Sequence, residues 1–374
     1  MKLGFIAHKV HRHGGMERAA AEVMERISRK HEVVILAREC KVRGENLTFE
    51  PIQTFSRPNL LGVWAFRSKV RRREKQLDCT LTNSIGASAI NADVITAQFC
   101  HAAFHAAHGG MRGGSSPLRR HWQNLVERIY TQQEHAAYTS SRLKKVIAVS
   151  EGIKRELITH YSVPAEKIVV IPNAVDHDVF KPAGSLAIKH ALRRDLGLPE
   201  DDFLCLFVGG DWDRKGLADA IRAIAGLPKT RLVVVGSGDA KRFGALARAE
   251  NAEDQILFPG RSLRSQDYYT ASDVFVFPSR YEAFSLVTIE AAASGLPVIA
   301  LRINGTEELI EDGVNGFFVE PTPESIREKV EWLQQNPDKM QLMSKAALKT
   351  SQRYTWDRIA QEQSAVFEAV ANSL

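Results

Sequence analysis

Short apolar runs recur along the chain, each bounded by Gly, Pro, Asn or Ser and each followed by a stretch with apolar residues at helical spacing. In the first half these runs predict strands at residues 3–8, 32–38, 47–52, 79–83, 94–99, 146–150 and 168–172. The pattern restarts at residues 203–208, 231–235, 256–259, 274–278 and 297–301. Between the first two runs, Met16, Ala19, Ala20, Val23 and Ile27 recur three or four apart, as one buried helical face requires. Runs rich in Val, Ile, Leu and Phe, apolar at consecutive positions, predict parallel sheets covered on both faces. The chain therefore reads as α/β, with two doubly wound domains. Pro172, Pro182 and Gly184 interrupt the pattern between Asn173 and Ser185 and mark the seam. No repeat of 20–50 residues and no low-complexity tract is present.

A length of 374 residues fits two domains. The 44% hydrophobic and 25% charged residues exclude a disordered or fibrous chain. Charge is uneven: up to Phe180 there are 27 basic and 17 acidic residues, and beyond it 23 and 27. Eleven of the 12 histidines also precede Phe180. A basic first half points to a partner that carries phosphates. Cys40, Cys79, Cys100 and Cys205 have no metal-binding or disulfide spacing, which suits a reducing, cytoplasmic setting. The first residues turn polar at His8 and carry no signal-peptide pattern, and no apolar span of 18 residues occurs.

In sheets of this kind ligands bind beyond the carboxyl ends of the strands, so the loops after them carry the chemistry. Gly14-Gly15 follow the first strand and precede a helix, where backbone can approach a ligand closely; a tight turn alone would also use them. Gly209-Gly210 precede Arg214-Lys215-Gly216, a pair of cations beside glycines suited to a diphosphate. Asp211 and Asp213 form a D-x-D, but the adjacent cations make a metal ion redundant there, and no metal or other cofactor is expected. Glu282 lies in the loop after the strand at 274–278, and Glu290 about one turn into the next helix. The amides of Phe284, Ser285 and Leu286 fall between them, at the positive helix end. Taken singly, Glu282 reads as a helix-entry acid and Glu290 as half of a surface ion pair. Neither reading accounts for both carboxylates beside a cationic loop.

Glu282 and Glu290, with Pro278-Ser279 before them and Gly295-Leu296-Pro297 after, resemble the E-x7-E signature of the retaining nucleotide-sugar glycosyltransferases of family 4. Further matches fall in the same order: Gly14-Gly15, Val149-Ser150-Glu151, residues 171–176, Arg214-Lys215-Gly216 and residues 305–310. The resemblance implies the GT-B fold, two Rossmann-like domains with a cleft between them. The expected division is residues 1–175 on the acceptor side and 176–355 for the nucleotide sugar, with a terminal helix at about 356–374 packing back on the first. By resemblance, Arg214 and Lys215 clamp the donor diphosphate and Glu290 the ribose. Glu282 and the amides of Phe284, Ser285 and Leu286 hold the transferred sugar. Gly14, Gly15, Asn173 and Gly209 join the donor site, and His101 fits the histidine near the reacting sugar, although a lone histidine close to His105 and His108 is as often structural. Relatives often have Gly-Arg where this chain has Gly209-Gly210; Arg214 beside Lys215 substitutes, an arrangement loosely similar to lipopolysaccharide-core glucosyltransferases.

The expected activity is retaining transfer of a hexose from a nucleoside diphosphate sugar, UDP-sugar favoured, to a cell-envelope glycan or lipid-linked acceptor. The rivals are a nucleotide-sugar epimerase of the same fold and a catalytically dead membrane-bound scaffold. The segment 63–75 mixes Trp64 and Phe66 with six cations, including Arg71, Arg72 and Arg73. It predicts an amphipathic helix resting on an anionic membrane, which would place the protein at the inner face of the cell membrane. No nucleic-acid motif accompanies it.

Overall fold

The computed structural model of the chain describes residues 1–12, 14–54, 60–108 and 117–374, without the side chains at 60, 61, 63, 64, 108, 117–120, 122 and 123. It forms two compact units, residues 1–174 with 356–374 and residues 175–355.

The first unit contains β1 (Lys2–Ile6), β2 (Lys9–Val10), β3 (Glu32–Ala37), β4 (Glu39–Cys40), β5 (Leu47–Pro51), β6 (Leu81–Ile85), β7 (Val94–Ala97), β8 (Lys145–Ala148) and β9 (Ile168–Val170). Seven strands form one parallel sheet in the order β5-β3-β1-β6-β7-β8-β9, and β2 pairs with β4 beside it. The chain winds outward from β1 in one direction and from β6 in the other. The switch point between β1 and β6 therefore opens a crevice at their carboxyl ends. On the helix Met16–Ile27, Ala19, Ala20, Val23 and Ile27 are buried while Met16 is exposed. The helix Trp356–Ala371 closes this unit: Phe367 meets Phe5 of β1 edge-on at 5.6 Å, and Asp357 accepts from Arg26 Nε at 2.9 Å.

The second unit contains β10 (Phe203–Val208), β11 (Thr230–Val235), β12 (Ile256–Gly260), β13 (Val274–Phe277), β14 (Val298–Ala300) and β15 (Gly316–Phe318), parallel in the order β12-β11-β10-β13-β14-β15. All four side chains of β13 are buried, as a strand packed between two helical layers requires. The short strands β2, β4 and β15 have too few residues for a periodic signal and were not expected. Two expected strands stop early: the run at 94–99 ends at Ala97 and that at 168–172 at Val170, shortly before Pro172; beyond them the side chains of Gln98 and Asn173 bond each other.

The basic helix runs Leu60–Glu74. The side chain of Trp64 lies outside the described residues, and Phe66 and Val70 are buried against Ile6, Val34 and Leu36. Phe66 and Val70 are thus used by the core, while Arg71, Arg72 and Arg73 stay exposed. No helix among the described residues is long and apolar enough to cross a membrane.

Candidate active site

In the second unit the loop after β10 folds against the loop after β13. Arg280 N–H donates to Arg214 O at 3.0 Å, and the Arg214 guanidinium donates to Tyr281 O. One oxygen, Glu282 Oε1, accepts from Arg214 Nη1 at 2.9 Å, Lys215 Nζ at 2.8 Å and Ser279 Oγ at 3.0 Å. Burial pushes the Glu282 carboxyl up, but the charges of Lys215 and Arg214 outweigh it and hold the group below the usual carboxylate range. Burial lowers the Lys215 pKa, against the pull of Glu282.

Glycines make this convergence possible. At Gly209, φ is +138°, and a Cβ there would lie 2.7 Å from Lys215 Cε. Only glycine lets the lysine fold back over the strand end, where Nζ also sits 4.4 Å from the centre of the Phe277 ring. At Gly216, φ is +75°, and a Cβ would come within 2.3 Å of Pro278 O, so the start of helix Leu217–Ile224 abuts the end of β13.

Ser285 caps the helix Leu286–Ala293 with φ +67°, a left-handed conformation for a residue with a side chain. Its Oγ is buried and has no partner among the described residues. The helix's first amides lack intrahelical acceptors, as at any α-helix N-terminus. Glu290 is not part of a surface ion pair. It is buried, and Oε2 accepts from Tyr269 OH at 2.9 Å. Asp211 bonds Arg214 Nε at 2.9 Å, and Asp213 is gripped by both terminal nitrogens of Arg242 at 2.6 and 2.7 Å. The structure therefore brings Arg214, Lys215, Glu282 and Gly209 together, with Phe284, Ser285, Leu286 and Glu290 on the helix entry next to them in sequence.

The remaining residues lie in the first unit. Gly14, with φ +86°, and Gly15 are exposed at the start of helix Met16–Ile27. Asn173 is buried and exchanges two amide hydrogen bonds with Gln98, at 3.0 and 3.2 Å, across the carboxyl end of β8. His101 begins the helix His101–His108. Its N–H donates to Glu134 Oε2 at 2.8 Å, its Nδ1 lies 3.1 Å from Glu127 Oε2, and its ring stacks on Tyr130 at 4.7 Å. Burial raises the Glu134 carboxyl above the usual range, while His101 and a hydrogen bond from Tyr161 OH oppose this. Sequence reasoning missed Gln98, Glu127, Tyr130, Glu134 and Tyr269. Glu127, Tyr130 and Glu134 were discernible as a polar stripe at helical spacing on Pro117–Tyr138; nothing local marked Gln98 or Tyr269.

The family of glycosyltransferase family 4 matches residues 13–179, and that of glycosyl transferases group 1 matches residues 188–350. The chain belongs to glycosyltransferase family 4. An uncharacterized glycosyltransferase of Methanocaldococcus jannaschii is 31% identical over 242 residues, covering 63% of this chain and 61% of the relative. A D-inositol 3-phosphate glycosyltransferase of Xylanimonas cellulosilytica is 32% identical over 235 residues, covering 58% and 56%. The match thus spans little more than half the length of these curated relatives. Among solved structures, WaaG, a glycosyltransferase involved in lipopolysaccharide biosynthesis, superposes with TM-score 0.82 at 21% identity over 97% of this chain and 99% of that one. Anabaena HepE in complex with UDP and glucose gives 0.76 at 19% over 99% and 100%. These likenesses establish the GT-B fold of this family 4 chain.

Proposed function

We propose that this glycosyltransferase moves a hexose from a UDP-sugar to a glycan or lipid-linked acceptor with retention at the anomeric carbon. The observation that carries the reading is the convergence of Arg214 and Lys215 on Glu282, beside a helix entry with an orphaned buried hydroxyl, Ser285 Oγ. A departing nucleoside diphosphate needs fixed positive charge where its own charge develops, and preorganised cations in a buried site supply it without solvent reorganisation. In this reading the diphosphate draws Arg214 and Lys215 toward itself, and the helix amides from Phe284 to Leu286 add their dipole. Glu282 then accepts from hydroxyls of the transferred sugar, and Glu290 from the ribose. His101, held by Glu127 and Tyr130, is the candidate histidine of the reaction in the first unit. No acid–base residue beyond the leaving phosphate is required for same-face attack.

HepE, a structural neighbour, binds UDP-glucose in its crystal structure, which favours UDP as the donor nucleotide. The D-inositol 3-phosphate glycosyltransferases among the relatives favour a phosphorylated polyol as a second acceptor class. Thermal unfolding with UDP-, GDP- and ADP-sugars tests the donor, since a ligand that binds only the folded state raises the transition temperature. The anomeric configuration of the product, read by proton NMR, tests retention. A shift with no sugar nucleotide in the panel, or an inverted product, would overturn the reading.

A further inference from the structure

Arginines in this chain that lose water are almost everywhere matched to carboxylates. Arg193, only 4% exposed, bonds Asp273 and three backbone carbonyls. Arg142 bonds Asp93 and Glu74, and Arg231 bonds Asp202. Arg327 bonds only the carbonyls of Arg222 and Ala225 at a helix end. Arg38 and Arg67 also lack a carboxylate, and both lie at the carboxyl ends of strands around the switch point of the first sheet. Arg38 follows β3 and Arg67 sits on the helix Leu60–Glu74. Their side-chain partners among the described residues are backbone oxygens, Gly62 O for Arg38 at 3.0 Å and Ala87 O for Arg67. Nε of each is buried with no partner among the described residues. The residues outside that description include no Asp or Glu, so no carboxylate of the chain is hidden beside them.

The two cations converge on one place. Arg38 N–H bonds the carbonyl of His8, which follows β1, at 3.0 Å. The His8 ring packs on Phe66 at 4.6 Å, and the Arg38 guanidinium lies 5.5 Å from the same ring. His8 Nδ1 is likewise buried and unpartnered. Burial, then the charges of Arg38 and Arg67, lowers the His8 pKa to about 4, and burial lowers that of Arg67 to about 10, opposed by Tyr130 and by no carboxylate. Beside them Gly86, just past β6 with φ +57°, borders open space: a Cβ there would meet nothing within 4 Å. Two half-buried guanidiniums, each with a buried unpartnered Nε, and an orphaned imidazole beside open space are costly unless an anion completes them.

We propose that Arg38, Arg67 and His8 form an anion subsite that receives a phosphate or carboxylate group of the acceptor. The word acceptor rests on the transferase reading above; the anion subsite does not. Arginine forks suit a tetrahedral or planar oxyanion, and the imidazole nitrogen offers a third donor once protonated or in the matching tautomer. The subsite would select among acceptors by charge, which a neutral glycan could not satisfy.

Calorimetric titration of the full chain with inorganic phosphate, glucose 6-phosphate and glucose, at matched chloride, tests this. The expected result is that glucose 6-phosphate binds at least tenfold tighter than phosphate, that glucose does not bind, and that Arg38→Gln and Arg67→Gln each weaken both anions at least tenfold with UDP affinity unchanged. If a glutamine variant does not fold, Arg38→Lys and Arg67→Lys keep the charge but lose the fork, and a several-fold weakening is expected. Phosphate binding as tight as the sugar phosphate would overturn the acceptor assignment. Equal anion binding in wild type and variants, or none in wild type, would overturn the subsite. Loss of UDP binding alone would sink the donor reading and leave this subsite standing.

Discussion

At the residue scale, the chemistry of the site rests on how each charge is matched. Glu282 is held by two cations, so Lys215→Ala or Arg214→Ala leaves one of them in place and the fold should survive. Transfer should fall by about 2–4 kcal/mol of barrier, a loss of roughly two to three decades, if these groups act like other preorganised electrostatic donors. Steady-state turnover with a UDP-sugar checks this, and near-normal rates in both variants would remove the clamp. Asp211 and Asp213 already carry arginine partners, so turnover should persist in EDTA; complete loss restored by Mg²⁺ would make them metal ligands. His8 gives a pH prediction. Its folded pKa of about 4 lies below the ordinary 6.5, so the folded state binds fewer protons between those values. The associated stability is present above pH 6.5 and fades as pH falls toward 4. At about 1.36 kcal/mol per pKa unit, this one residue should cost about 2 kcal/mol between roughly pH 7 and pH 5. Urea unfolding should show that slope in wild type and a shallower one in His8→Asn; identical slopes would mean that His8 is not held neutral.

At the element scale, the helix Trp356–Ala371 is the chain's last element yet belongs to the first unit. Its apolar stripe, Ile359, Ala360, Phe367 and Val370, is buried, and Phe367 reaches β1. Phe367→Ala removes a fully buried ring and should destabilise by about 3–5 kcal/mol. Hydrogen exchange should quicken in β1 and its neighbours while β10, β11 and β13 keep their protection. Equal loss in both units would contradict the assignment of the helix to the first.

At the scale of the whole molecule, charge divides as the sequence does, positive up to Phe180 and negative beyond. Phe66 and Val70 are spent on the core, so attraction of this part of the helix Leu60–Glu74 to a membrane comes from its exposed cations. Each is worth about 1 kcal/mol near an anionic surface and fades within a Debye length. Arg73 already pairs with Glu50 at 2.7 Å, which leaves Arg71 and Arg72 as the main contributors. Flotation with phosphatidylserine vesicles should show binding that weakens with salt and with Arg71→Glu and Arg72→Glu, while UDP affinity stays the same. Equal binding to neutral vesicles, or none to either, would leave the helix as a solvated face.

Local pattern determined the parallel strands, because a strand buried on both faces must be apolar at consecutive positions. It also determined which loops carry glycines and charges, since those residues stand beside the strand ends in sequence. The E-x7-E loop and Arg214-Lys215 were legible for that reason. Partnership was not legible. Lys215 and Glu282 are 67 positions apart, as are Arg214 and Tyr281. Gln98 and Asn173 are 75 apart, and Glu290 finds Tyr269 on a neighbouring helix. Only the tertiary structure decided these pairs, because a charged side chain meets its partner through the winding of the sheets. For the same reason the sequence held 50 basic residues without showing that Arg38 and Arg67 are half-buried, each with a buried Nε and no carboxylate to meet it.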